Sequence, residues 1–217
     1  MSLNYVDEID KRIDRVYTNH HEIPDHRQLL PWVTGYLGNP DAGFWFLSEN
    51  PSLTTSNRAT SSKLMLSVES QWAVSKGDQL FRESLVENGF KEPPWDSSGG
   101  WHCYLTDVIK QAEKVKDWQR QGDESWLRLG EIWSEVLAWE LEVSRPRLIV
   151  VMGKRTRRLI EHIAMAKQLR FPRKEVIQHY AYIGSRPRGK QPPMDPDRIK
   201  EYWEDMKRVA QVISEIR

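Results

Sequence analysis

Apolar positions along this chain follow two rhythms. Leu3, Val6, Ile9, Ile13 and Val16 recur at three- and four-residue steps, which predicts an amphipathic helix over residues 3–17. The run from Ala42 to Leu47 is continuous and aromatic, as in a strand covered on both faces. It stops in Ser48-Glu49-Asn50-Pro51-Ser52, because Pro51 cannot continue a central ladder. Helical spacing returns after Gly77-Asp78, with Leu80, Phe81, Leu85 and Val86, and closes near Asn88-Gly89. His102 to Thr106 reads as a strand with Asp107 at its carboxyl end. Trp126, Leu129, Trp133, Val136, Leu137 and Leu141 give a broad apolar helix face, broken at Arg145-Pro146. Arg147 to Gly153 is the clearest buried strand, and a basic helix follows over Lys154–Lys167. A short strand over Lys174–Gln178 ends at His179. Pro196 to Ile216 closes the chain as a helix, with Ile199, Trp203, Met206, Val209, Ile213 and Ile216 on its buried side. A short helix over Leu29–Leu37 and a long polar loop over Leu53–Ser70 complete the reading.

Strands and helices alternate, which predicts an α/β fold: a three-layer α/β/α sandwich around a mostly parallel sheet of about four strands. One domain over residues 1–217 is expected, with residues 1–39 as an N-terminal helical extension. In such a sheet Glu49 and Asn50, Asp107, the Gly153 turn and His179 share the carboxyl rim, where open α/β sheets bind ligands. Each has a plainer reading: a surface carboxylate, a turn former, a rim histidine.

Composition narrows the classes. No apolar run approaches the roughly 20 residues that cross a bilayer. Residues 1–7 lack a basic start and an apolar core, so a cytoplasmic, reducing location is expected. The single Cys103 excludes an intrachain disulfide and a four-cysteine cluster within one chain. Residues 18–26 hold three histidines and two carboxylates, but at neither helical-pair nor zinc-ligand spacing, so a polar loop is expected and no metal or other cofactor. The net charge of +1 hides an asymmetry: residues 145–190 carry 13 Lys and Arg against 2 Asp and Glu. That bias points to a polyanionic partner, nucleic acid first.

The order of these segments resembles the uracil-DNA glycosylase superfamily over roughly residues 40–216. Ser48-Glu49-Asn50-Pro51-Ser52 looks like its first motif, which carries an acidic or amide residue ahead of Pro. Tyr104 to Lys110 resembles the second strand end, where Asn usually stands in place of Asp107. Arg145 to Gly153 is similar to the strand running into a glycine turn, and His179 falls where the last motif begins. The chain departs at Ser48 and Ser52, which replace glycines, and at Tyr180-Ala181, which replace Pro-Ser. It also lacks the cysteines of the iron–sulfur branch.

The resemblance implies hydrolysis of the N-glycosidic bond of uracil or a related modified base flipped out of DNA. It implies Asn50 or Glu49 as the group holding the water, and His179 as donor to the departing base. Asp107 then reads the base edge, with Trp72 or Trp101 as the stacking aromatic. Ile183 fills the vacated stack. Ser185, Arg186, Arg188, Lys190 and Lys154 contact the backbone of single- or double-stranded DNA, and the protein acts as a monomer. Asp107 leaves three outcomes open: a protonated carboxyl that mimics an amide, a different base, or loss of uracil cleavage. The competing classes are a non-catalytic nucleic-acid-binding protein and a hydrolase of free nucleosides or nucleotides.

Overall fold

A computed structural model describes residues 3–25, 27, 34–51, 76–95, 100–112, 115–183 and 196–216. In chain order the elements are α1 (Leu3–Asn19), β1 (Tyr36–Gly38), β2 (Phe44–Ser48) and α2 (Lys76–Glu87). Then follow β3 (Tyr104–Asp107), α3 (Val115–Ser144), β4 (Leu148–Met152) and α4 (Lys154–Ala166). The chain closes with β5 (Arg173–Ile177), the single turn α5 (Tyr180–Ile183) and α6 (Pro196–Ile216).

The sheet has five strands in the order β1-β3-β2-β4-β5. β2, β3, β4 and β5 run parallel, as their apolar runs require. The fold is the expected α/β sandwich with one strand more. β1 pairs antiparallel with β3, opposing Leu37 to Leu105. It lies in the stretch read as an N-terminal helical extension and overturns the helix expected to run to Leu37. Its three residues are too short to show a strand rhythm. Residues 28–33 and 52–75, which carry the rest of that helix and most of the polar loop, lie outside the described residues.

Alternation along the strands feeds two cores. Trp45, Leu47, Tyr104, Ile149 and Val151 pack under α1, α3 and α4. Phe44, Phe46, Leu105, Leu148, Val150 and Met152 pack under α2, α5 and α6. The buried line of α6 is Tyr202, Met206, Val209 and Ile213. Tyr202, which the apolar spacing leaves out, is fully buried with its hydroxyl 3.2 Å from Ser84 Oγ, and Ile199, Trp203 and Ile216 are partly buried against the same core. α3 begins earlier than expected and is interrupted at Gly122.

A polar group lies buried in the first core. Lys110 Nζ stands 2.8 Å from Glu140 Oε2, and both side chains are wholly covered. Tyr104 and Thr106 each donate to Glu140 Oε1 at 2.9 Å, and Lys110 donates to the Asp107 carbonyl at 2.7 Å. These bonds pin the loop after β3 to α3. Removing one partner of such a pair strands the other charge without water. Glu140→Ala is therefore expected to lower unfolding free energy by about 3–5 kcal/mol in urea titrations, far more than an exposed pair would.

Candidate active site at the strand ends

The ends of β2 and β3 are in register, so Ser48 lies beside Asp107. The ladder continues one step further, where Ile109 N–H donates to the Glu49 carbonyl at 3.0 Å. Pro51 then ends it. Asn50 is half-buried, and its side-chain amide donates to the Pro51 carbonyl at 2.9 Å. Its Oδ1 accepts no hydrogen bond from a described residue.

Asp107 is fully buried. Ser48 Oγ–H donates to its Oδ1, while Oδ2 has no hydrogen-bond partner among the described residues. Burial pushes this carboxyl up to about 8 against the pull of Lys110, and the negative charges of Glu140 and Glu49 push the same way. Asp107 is thus held neutral at pH 7. The two departures from the family pattern here, Ser48 and Asp107, satisfy each other. Asp107 is nonetheless completely covered, so Oδ2 meets a base edge only once the atoms over it part.

β4 ends at Gly153, whose φ of 91° is strained for any residue with a side chain. A Cβ there would stand 3.1 Å from His179 Cβ, so glycine admits the histidine to the rim. His179 follows β5, two strands from β2, which sets it roughly 10 Å from the Asn50 strand at the usual inter-strand spacing. Its ring is half-buried, with its inner side among protein atoms. That desolvation lowers its pKa to about 4, so the ring is neutral at pH 7.

His179 stands at the end of a column of rings. Tyr180 lies 4.5 Å from it and stacks on Phe81 at 4.9 Å with 6° between planes. The Tyr180 hydroxyl bonds the buried Asp78 at the start of α2. A Cβ on Gly77 would lie 2.8 Å from the Tyr180 carbonyl oxygen, so α2 reaches the column only because Gly77 has none. Tyr180, Phe81 and Asp78 were not read as site residues. The substitution of Tyr180 for Pro was visible, but its stacking partner lies 99 positions away.

Other expected residues separate. Glu49 is engaged: Arg155 donates from Nε to Oε2 and from Nη2 to Oε1, each at 3.0 Å. Trp101 stands at the amino end of β3, against Gly38 and beneath Arg82 and Lys91, so it cannot stack on a base at the carboxyl rim. Its place before β3 in the chain fixes it at that opposite edge. Ile183 is 1% exposed and packs in the second core, which corrects its role as an inserting wedge: its side chain is already fully used in packing. Lys154 is exposed at the start of α4. Trp72, Ser185, Arg186, Arg188 and Lys190 lie outside the described residues. Several cations of the 145–190 stretch are paired with acids from elsewhere, Arg155 with Glu49, Arg158 with Asp123 and Lys167 with Glu131. The charge excess along the chain therefore overstates the field at the surface. Among the described residues no group of three His, Cys, Asp or Glu side chains is placed to hold a metal ion, and no helix is long and apolar enough to cross a membrane.

A three-layer α/β sandwich that brings polar groups from successive strand ends to one rim has the arrangement in which open α/β sheets bind ligands. The model of the uracil DNA glycosylase superfamily matches residues 36–207, so this chain belongs to that superfamily. Membership points to glycosylase chemistry on DNA and to DNA as the partner. No curated protein matches the chain.

Burying a neutral Asp107 has a measurable signature. Its pKa rises on folding from the ordinary 3.8 to about 8. The stability it contributes is full below the lower value and is lost as pH rises towards the higher one. Asp107→Asn lacks that dependence. Its stability relative to the parent is expected to climb between pH 4 and 8, with a slope of at most about 1.4 kcal/mol per pH unit. Urea unfolding at pH 5 and pH 7.5 measures it; equal differences at both would refute a protonated Asp107.

Proposed function

We propose that this protein is a base-excision N-glycosylase of DNA repair that hydrolyses the bond between deoxyribose and a uracil-like or related modified base flipped into the carboxyl-end crevice. The observation carrying this reading is the alignment of three uncharged polar groups, Asn50, Asp107 and His179, at the ends of β2, β3 and β5. The reaction passes through a sugar with oxocarbenium character and releases the base as an anion. Asn50 Oδ1 holds the attacking water by accepting one of its protons. Neutral His179 donates an N–H to the base oxygen where charge develops, as a fixed dipole inside a poorly solvated site. Because it is neutral, it acts by hydrogen bonding rather than by full proton transfer.

Asp107 deepens the substrate question. Protonated, it offers one donor and one acceptor, the pattern of an Asn amide, and that pattern complements a base edge with a carbonyl beside an N–H. Ionised, it offers acceptors alone and repels the carbonyl. The reading is therefore cleavage of carbonyl-bearing bases with a relaxed preference, and a loss of recognition as pH rises past about 8. The exposed Lys154 adds a phosphate contact beside the rim.

The test incubates single- and double-stranded oligonucleotides, each with one modified base, followed by alkali. Breaks at abasic sites are expected in the parent. Asn50→Ala and His179→Ala are each expected to lower the rate about 10²–10³-fold with DNA binding retained. Binding without breaks in the parent would instead support a non-catalytic nucleic-acid-binding protein, and cleavage of free nucleosides alone a nucleoside hydrolase. Robust cleavage restricted to uracil and unchanged by Asp107→Asn would contradict the relaxed preference.

A further inference from the structure

Glu49 and Asn50 stand side by side on the rim, and they differ in how far their acceptor oxygens are engaged. Glu49 is gripped at both carboxylate oxygens by Arg155, which sits in the first turn of α4, two residues past Gly153. The Glu49 side chain is only 15% exposed, against 45% for Arg155. The guanidinium is itself seated, 4.5 Å above the ring of Trp126, a fully buried residue of α3. A bidentate, planar pair with one member stacked on a fixed indole holds geometry better than an ordinary surface ion pair. Asp107 from β3 feels the charge of Glu49, Asp123 from α3 that of Arg155, and Arg158 of α4 lies 5.8 Å from the same Trp126 ring and pairs with Asp123.

We infer that Arg155, braced on Trp126, is a positioning residue that turns the Glu49 carboxylate away from the reacting centre and leaves Asn50, of the two, to hold the water. This rests on the glycosylase reading of the crevice. It also explains how a carboxylate can stand beside a site that expels an anion. An unrestrained Glu49 would place negative charge near the departing base, whose own charge is growing in the transition state, and would raise the barrier. Held by Arg155, its charge is neutralised and its oxygens are turned outward. The motif then acts through its amide rather than its acid.

The test compares Arg155→Met with the double variant Glu49→Gln/Arg155→Met, using the oligonucleotide that the parent cleaves best. Arg155→Met is expected to lower kcat about tenfold or more, with a smaller change in KM. The double variant should regain most of the lost kcat, because it carries no loose carboxylate. A double variant as slow as Arg155→Met would overturn the proposal: the pair would be structural only, or Glu49 would itself be the base. An NMR readout needs no turnover. The Arg155 Nε–H is expected to exchange slowly in the parent and fast in Glu49→Gln. Fast exchange in both overturns the clamp, whereas slow exchange in a parent that cleaves no oligonucleotide leaves the clamp standing and overturns the functional reading together with the catalytic part of the inference.

Discussion

A carboxyl group buried at the end of a central strand must find a counter-charge or keep its proton. Asp107 keeps its proton. Its one buried cation, Lys110, is committed to Glu140 and to backbone, and the remaining contact is the Ser48 hydroxyl on the neighbouring strand. That contact ties the ends of β2 and β3 together where the chain must turn sharply into Asn50-Pro51. The geometry of the rim follows from it. Asn50 follows two residues after Ser48, which lies beside Asp107, and at the end of β4 Gly153 makes room for His179.

The site that results is built from neutral groups. Asp107 is protonated, His179 is deprotonated, Asn50 is an amide, and Glu49 is matched by Arg155. Desolvation acts on the acid and the histidine in opposite directions, and both shifts end in an uncharged group at pH 7. Such a floor suits a step in which negative charge grows on a departing base, because Asp107 and Glu49 then present no unmatched negative charge to it. The column from Phe81 through Tyr180 to His179 supplies rigidity on the far side. α2, through Asp78 and Gly77, thereby becomes part of the site although it carries no chemistry of its own.

Much of the architecture was legible because burial on both faces writes continuous apolar runs. β2 and β4 match that signal within about two residues, and α6 is legible from its amphipathic spacing instead. β1 escaped it: three residues at an edge cannot show a period. In the candidate site, the strand-end positions Asn50, Asp107 and His179 could be read because a parallel sheet places carboxyl ends on one side. The companions of those residues could not. That Arg155 grips Glu49 depends on a contact across 106 positions, and that Ser48 satisfies Asp107 depends on strand register. Trp101 and Ile183 misled for the same reason. An aromatic or aliphatic residue near a motif in sequence carries no sign of which rim, or which core, it faces. The basic excess of residues 145–190 likewise concealed partners supplied from β2 and α3.

The protonation of Asp107 is the point on which this account turns, and it can be observed without substrate. The 13Cγ resonance of Asp107, assigned by its loss in Asp107→Asn, reports the carboxyl group directly across a pH titration. A protonated shift at pH 6 and a midpoint near about 8 are predicted. A midpoint in the ordinary aspartate range near about 4 would contradict the neutral floor, and with it the recognition of a carbonyl-bearing base.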